Sequence, residues 1–153
     1  MKFPVYLGML HRGEQTLAAT FRQVADGHGG EPDVYWLCKS LADQCDRHVD
    51  VLAPILQRYG EVDADDEPER LHAEGLSETR SGPLGLLRDL QDVYLLATMV
   101  DVTWSMTRQV ASGLRDGELL RIVGDCEKET AVQLNWLTTR MSHAAPQALI
   151  VAR

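Results

Sequence analysis

The sequence predicts an all-α protein, a four-helix bundle of two antiparallel hairpins joined by one long crossover. Apolar residues recur at steps of three and four along four long segments, the spacing of a single helix face, and strand signals are weak throughout. Two of the gaps between these segments are short turns, near residues 27–31 and 113–116. The remaining gap, about residues 60–82, is long and acidic. Short turns join antiparallel neighbours, so each short gap predicts one hairpin.

The first hairpin is expected to contain helices at about residues 5–26 and 32–59. The first helix stops at the glycine-rich stretch DGHGGEPD and the second at Gly60, because glycine near a helix end favours termination. The apolar stripe of the first helix comprises Leu7, Leu10, Leu17, Phe21 and Val24. That of the second comprises Val34, Cys38, Leu41, Leu52 and Ile55.

The second hairpin is expected to contain helices at about residues 83–112 and 116–143, the last stopping before Pro146. The apolar stripe of the third helix comprises Leu87, Leu90, Tyr94, Ala97 and Trp104. That of the fourth comprises Leu120, Val123, Leu134, Leu137 and Met141. Trp36, Trp104 and Trp136 are all expected to pack inside the bundle, the first and last near its ends.

The crossover at about residues 60–82 is long enough to run the whole bundle. A helix of about 28 residues is about 42 Å long at 1.5 Å per residue, and an extended connection of this size spans that distance. One long crossover therefore favours two hairpins over a simple up-down-up-down order. A short helical turn around Pro68–Glu74 would fit inside it. The alternative is a disordered acidic linker between two helical hairpins.

Composition indicates a single soluble domain over residues 1–153. The net charge is −8 with a pI near 5.0, which argues against nucleic acid as a partner, because phosphate binding needs a basic face. Three widely spaced cysteines suit a reducing cytoplasm better than a disulfide framework. The N-terminal apolar stretch is too short for a signal peptide, and the apolar run Val93–Met106 is interrupted by Asp101. A cytoplasmic protein with no membrane partner is expected.

Polar residues interrupt each of the four apolar stripes. They are Glu14 on the first helix, Cys45 and His48 on the second, Asp101 on the third, and Glu127 and Thr130 on the fourth. Folding about the two turns sets Glu14 beside Cys45 and Asp101 beside Thr130. All six are therefore expected near the middle of their helices, facing the interior.

Three buried carboxylates with one histidine indicate either a metal site or a self-satisfied polar network. An ionised carboxylate in an apolar core shifts its pKa, finds a partner or binds a cation. His11 flanks the stripe one turn before Glu14 and is a neighbour of this cluster. Of the acids in GDCEKETA, only Glu127 is expected to face inward, while Glu129 points elsewhere. His28, in the first turn, is expected to be solvated.

The order Glu, x-x-His, acid, Glu-x-x-x resembles the ferritin-like superfamily of ferritins, rubrerythrins and related di-iron carboxylate enzymes. Those proteins use a Glu from each of two helices and a Glu-x-x-His from each of the other two. The resemblance implies ligand positions at Glu14, His48, Asp101 and Glu127. Two positions depart from the pattern: Cys45 stands where the family has a bridging Glu, and Thr130 where it has the second His.

Two functional hypotheses follow from the resemblance and from the two positions that differ from the family pattern. The first is a non-catalytic ferritin-like bundle protein, a homodimer, whose buried polar cluster is structural or binds a small ligand and holds no cofactor. The second is a metalloprotein with one Fe, Mn or Zn ion on His48 and the interior carboxylates, performing oxidation or metal-storage chemistry. A Cys45 thiolate would favour zinc.

Overall fold

The computed structural model describes residues 1–60 and 74–153, and within these ranges the chain is helical with no strand. The helices are α1 (Phe3–Gly27), α2 (Pro32–Tyr59), α3 (Gly82–Gly113) and α4 (Gly117–Pro146), followed by a short π-helical segment at Gln147–Val151. This confirms the all-α prediction and places every predicted helix within a few residues of its expected ends. The helical turn suggested at Pro68–Glu74 lies almost wholly outside the described residues.

Local chemistry explains where the helices begin and end. A proline stands in the first turn of α1, α2 and α3, where its missing N–H removes no helical hydrogen bond. Asp116 caps α4 by accepting a hydrogen bond from the Leu119 N–H at 3.1 Å. The α4 helix passes the predicted stop at residue 143, because Ala144 and Ala148 pack against Leu87 at the beginning of α3.

Side-chain contacts show that the helices run up, down, down and up. Both α1 with α3 and α2 with α4 are antiparallel neighbours, as shown by the pairs Glu14–Trp104, His28–Asp89, Asp33–Arg140 and Tyr59–Asp116. Because α2 and α3 run in the same direction, Tyr59 and Gly82 lie at opposite ends of the bundle. The prediction of two antiparallel hairpins whose ends must be joined by a long connection is confirmed, and residues 61–73 of that connection lie outside the described residues.

The described end of the crossover lies on the second half of α1. The Gln23 side-chain amide donates to the Leu76 carbonyl at 3.0 Å. Gly75 approaches Thr20 so closely that a Cβ atom there would lie 2.9 Å from its hydroxyl oxygen, and a Cβ on Gly27 would clash with Thr79. The described end of the crossover is therefore held against α1 at glycine contacts.

The interior is a continuous apolar core with contributions from all four helices, including Leu7, Phe21, Leu52, Leu90, Trp104, Leu119 and Leu137. Trp104 is fully buried and Trp136 packs against the core, as predicted. Trp36 was predicted to pack inside and is instead 66% exposed, in edge contact with Tyr35. In the described ranges, no helix has the length and hydropathy required to cross a membrane.

Candidate functional site

Glu14 lies at the centre of the bundle with no solvent exposure. Its Oε1 accepts two hydrogen bonds, from Nδ1 of His48 at 2.9 Å and from Nε1 of Trp104 at 2.8 Å. These donors stand on α2 and α3, so one carboxylate oxygen joins three helices. The sequence prediction that Glu14 and His48 meet in the interior is confirmed, whereas the indole of Trp104 was read only as packing.

His48 lies between two carboxylates. Its Nε2 is 3.6 Å from Oε1 of Glu129, beyond hydrogen-bond distance, and its ring meets Trp104 edge to face. Glu129 is partly exposed, and its other oxygen is 3.4 Å from the guanidinium of Arg47. The prediction that Glu129 points away from the interior site is wrong.

The electrostatics of this site favour a charged imidazole. Burial lowers the pKa of His48, but the hydrogen bond that the ring donates to Glu14 and the negative charges of Glu14 and Glu129 outweigh it, so its pKa lies above the ordinary value. Burial and the charge of Glu14 raise the pKa of Cys45 well above its usual range. Cys45 is therefore a protonated thiol near neutral pH.

A pH dependence of stability follows from the raised pKa of His48. A raised folded-state pKa stabilises the fold fully below the unfolded value, near 6.5, and this contribution is lost as pH rises through the folded value. We expect the difference in free energy of unfolding between wild type and His48→Gln to shrink from pH 6 to pH 9, measured by urea denaturation. The ionisable groups facing the ring are Glu14 of α1 and Glu129 of α4.

The matched control for this pH dependence is His143→Gln, because His143 is exposed on α4. The free energy difference between wild type and this control should stay constant across the same pH range. A pH-independent difference for His48→Gln would contradict a charged His48 in the folded protein.

Gln133 of α4 completes the cluster. Its amide nitrogen donates to Oε1 of Gln44 at 3.1 Å and lies 3.7 Å from the Cys45 sulfur. Among the described residues, the buried side-chain atoms that have no hydrogen-bond partner are Oε2 of Glu14, Nε2 of His48 and Oε1 of Gln133. All three belong to this cluster, which we call the interior polar cluster: Glu14, Cys45, His48, Trp104 and Gln133.

The remaining predicted ligands lie elsewhere. Glu127 is bound by Arg108 on α3, with distances of 3.1 Å to Nε and 2.6 Å to Nη2. Asp101 is half-buried beside it, and burial together with the charge of Glu127 raises its pKa. Thr130 is buried but donates to the Cys126 carbonyl at 2.7 Å. The expected pairing of Asp101 with Thr130 is therefore wrong. Thr130 hydrogen-bonds within α4 instead, and Asp101 lies beside the Arg108–Glu127 ion pair.

A one-residue difference in helix rotation explains this separation. Between residues 119 and 137 of α4, the buried positions are Leu119, Val123, Cys126, Thr130, Gln133 and Leu137, whereas the predicted stripe contained residues 120, 127 and 134. On α3, Val100 is buried where Asp101 was expected to be. Both carboxylates therefore turn toward the α3–α4 edge, where Arg108 binds Glu127.

His11 also lies outside the interior polar cluster. It is partly buried against the Val49 backbone of α2. Burial, followed by the charge of Arg12, lowers its pKa. In the described part of the chain, no three or more histidine, cysteine, aspartate or glutamate side chains are arranged to hold a metal ion. The geometry therefore does not bring Glu14, His48, Asp101 and Glu127 into one ligand set.

A second buried ionic cluster was missed by the sequence reasoning. Asp89 of α3 has no solvent exposure and accepts hydrogen bonds from the Arg80 backbone N–H at 2.9 Å and its Nη1 at 2.7 Å. Nε2 of His28 is 2.7 Å from the same carboxylate, so the expectation of a solvated His28 is wrong. The available signal was Asp89 itself, which stands between Leu86, Leu87 and Leu90 at helical spacing.

Comparison of the chain with protein-family models, curated proteins and solved structures gave no match.

Proposed function

We propose that this protein is a non-catalytic ferritin-like bundle protein in which the interior polar cluster takes the place of a di-iron centre and serves a structural role. The observation that carries the proposal is the bonding of Glu14. One of its carboxylate oxygens, Oε1, accepts hydrogen bonds from both His48 and Trp104. A carboxylate engaged by two protein donors is already compensated without a cation.

The structural role is to set the register of the four helices. The cluster draws on α1, α2, α3 and α4, through Glu14, His48, Trp104 and Gln133 respectively. Sliding one helix by a turn would leave buried donors and acceptors unpaired, at about 1–3 kcal/mol for each group. An apolar core alone distinguishes such alternatives less sharply, and buried polar groups are best attested in this register-setting role.

A small polar ligand is compatible with the same proposal. The three unpaired atoms of the cluster, on Glu14, His48 and Gln133, are the kind of buried groups that an internal water or a small polar molecule satisfies. Such a molecule would complete the hydrogen bonding without any change of fold.

A mononuclear metal protein is the second candidate, favoured by one observation. If the neutral His48 ring carries its proton on Nδ1 and donates a hydrogen bond to Glu14, the unpaired Nε2 is directed toward Oε1 of Glu129. Iron, manganese and zinc accept imidazole nitrogen and carboxylate oxygen, and Glu14 would be the outer carboxylate that orients the ring. These residues would hold an ion capable of oxidation or storage chemistry with only two protein ligands.

Metal analysis separates the two candidates. Protein purified without a chelator or His-tag should contain well under stoichiometric iron, manganese or zinc by mass spectrometry, and its melting temperature should not fall in EDTA. Stoichiometric metal that is lost in Glu129→Gln and His48→Gln but retained in the control Glu127→Gln would overturn the proposal in favour of the metal protein. Glu127 is the appropriate control because Arg108 holds it on the α3–α4 edge.

We further propose a homodimer in the cytoplasm. The dimer is what the ferritin-like resemblance implies, and sedimentation tests it. The three cysteines of the chain are all buried and free, which suits a reducing compartment.

A further inference from the structure

The α3 helix carries a second apolar face that is turned to solvent. Its residues are between 37% and 68% exposed and comprise Leu84, Leu95, Val102, Met106 and Val110, which we call the α3 outer face. At 100° per residue they fall within a sector about 80° wide. A helix that is apolar on both sides is typical of one that is covered on both sides.

The α3 outer face has the length of a helix–helix interface. From Leu84 to Val110 it extends about 39 Å at 1.5 Å per residue. Four of its side chains, from Leu95 to Val110, form a contiguous apolar row, and the exposed residues Arg88 and Gln91 separate Leu84 from them. This row reaches the few hundred Å² at which an apolar patch marks an interaction site. A single helix pair lies at the low end of specific interfaces, so we expect a concentration-dependent association in the micromolar range.

The charge distribution on α3 favours a second copy of this chain as the occupant. The protein has a net charge of −8, so identical copies repel each other over most of their surface. Within about 60° of Leu95 on α3, the charged residues are Arg88 and, at the edge, Asp92, which Arg80 binds at 2.9 Å. The α3 outer face is therefore a long surface on which self-association brings almost no like charges together.

The same charges select the relative direction of the two helices. In an antiparallel pair about an axis near Thr98, Arg88 of each copy lies opposite residue 108 of the other copy's α3, about one turn before its end and toward the negative end of the helix dipole. In a parallel pair, Arg88 would face Arg88, and the two helix dipoles would be aligned side by side. A self-complementary contact about a two-fold axis is also the commonest form of soluble oligomer.

We infer that two copies of this chain associate through the α3 outer face, with the two α3 helices antiparallel about a two-fold axis near Thr98. This inference rests on the proposed homodimer but is independent of the interior polar cluster. A failure of the dimer would therefore leave the structural role of the interior polar cluster intact, and the reverse also holds.

Sedimentation velocity over about 1–200 µM tests the face, a range that brackets a micromolar interface. Wild type should shift from monomer to dimer, whereas the double variant Leu95→Glu, Val102→Glu should bind at least about 100-fold more weakly, because it buries unpaired carboxylates. The control Val132→Glu introduces a charge at an equally exposed apolar position on α4 and should dimerise like wild type. Thermal unfolding of all three proteins verifies that each is folded.

Two outcomes of this experiment would overturn the inference. A wild type that remains monomeric at the highest concentration would remove the dimer altogether. A double variant that dimerises like wild type would place the dimer on another surface.

Cross-linking tests the direction. The native cysteines are buried, so a short bis-maleimide should report only introduced thiols. Val102→Cys, near the two-fold axis, should form a cross-linked dimer. Leu84→Cys should not, because antiparallel helices place the two copies of this residue about 40 Å apart at 1.5 Å per residue. Cross-linking through residue 84, or its absence at residue 102, would overturn the antiparallel arrangement.

Discussion

Replacing Glu14 with alanine is expected to lower the free energy of unfolding by about 3–5 kcal/mol, because it removes one partner of a buried ionic pair. The ring of His48 and the indole N–H of Trp104 would both lose the oxygen that accepts their hydrogen bonds. The removed side chain also leaves a void, which adds to the loss. Chemical denaturation monitored by circular dichroism measures the effect.

Two variants make the Glu14 result specific. Glu14→Gln retains an amide oxygen that can accept both hydrogen bonds, so its cost should be smaller, about 1–2 kcal/mol. Glu127 also interrupts an apolar stripe in the sequence, but its carboxylate lies on the α3–α4 edge. Glu127→Ala should therefore lower the free energy of unfolding by about 1 kcal/mol or less. Equal losses for Glu14→Ala and Glu127→Ala would contradict the separation of these two residues.

Asp89→Ala is expected to destabilise the protein by about 3–5 kcal/mol, again because one partner of a buried ionic cluster is removed. Asp89 holds together the end of the crossover, the turn after α1 and the beginning of α3, through Arg80 and His28. Its loss should also free the Arg80 backbone N–H. Urea denaturation measures the global effect and amide hydrogen exchange the local one.

Asp92→Ala is the matched control for Asp89. Asp92 binds the same guanidinium at 2.9 Å but is 40% exposed, so its removal should cost less than about 1 kcal/mol. Exchange at Arg80 should accelerate in Asp89→Ala and remain slow in Asp92→Ala. Unchanged protection of Arg80 in Asp89→Ala would show that the crossover is held by other contacts, such as Gln23 with Leu76.

The helices and their connectivity were largely predictable, because they depend on local signals. Apolar spacing marked four helical segments, and glycine and proline marked most of their ends. The length of the gap at about residues 60–82 indicated that α2 and α3 run in the same direction. The interior pair of Glu14 and His48 was also predictable, because both interrupt apolar stripes on helices joined by a short turn.

The partners of that pair depended on helix rotation, which the spacing alone leaves open. In a wide apolar stripe, two neighbouring residues fit the same three-and-four pattern almost equally well. Residues 100 and 101 on α3 are one such choice, and 126 and 127 on α4 are another. A rotation of about 100°, one residue, decides whether a carboxylate faces the core or the edge.

The sequence by itself determined four helices, their order and the burial of Glu14 with His48. Only the tertiary structure decided that Asp101 and Glu127 leave the interior, that Glu129 approaches His48, and that Asp89 is buried with His28. The physical reason is that helix rotation and long-range ion pairs depend on packing between distant segments. A carboxylate is buried where a buried donor on another helix can hydrogen-bond to it, as Trp104 does to Glu14.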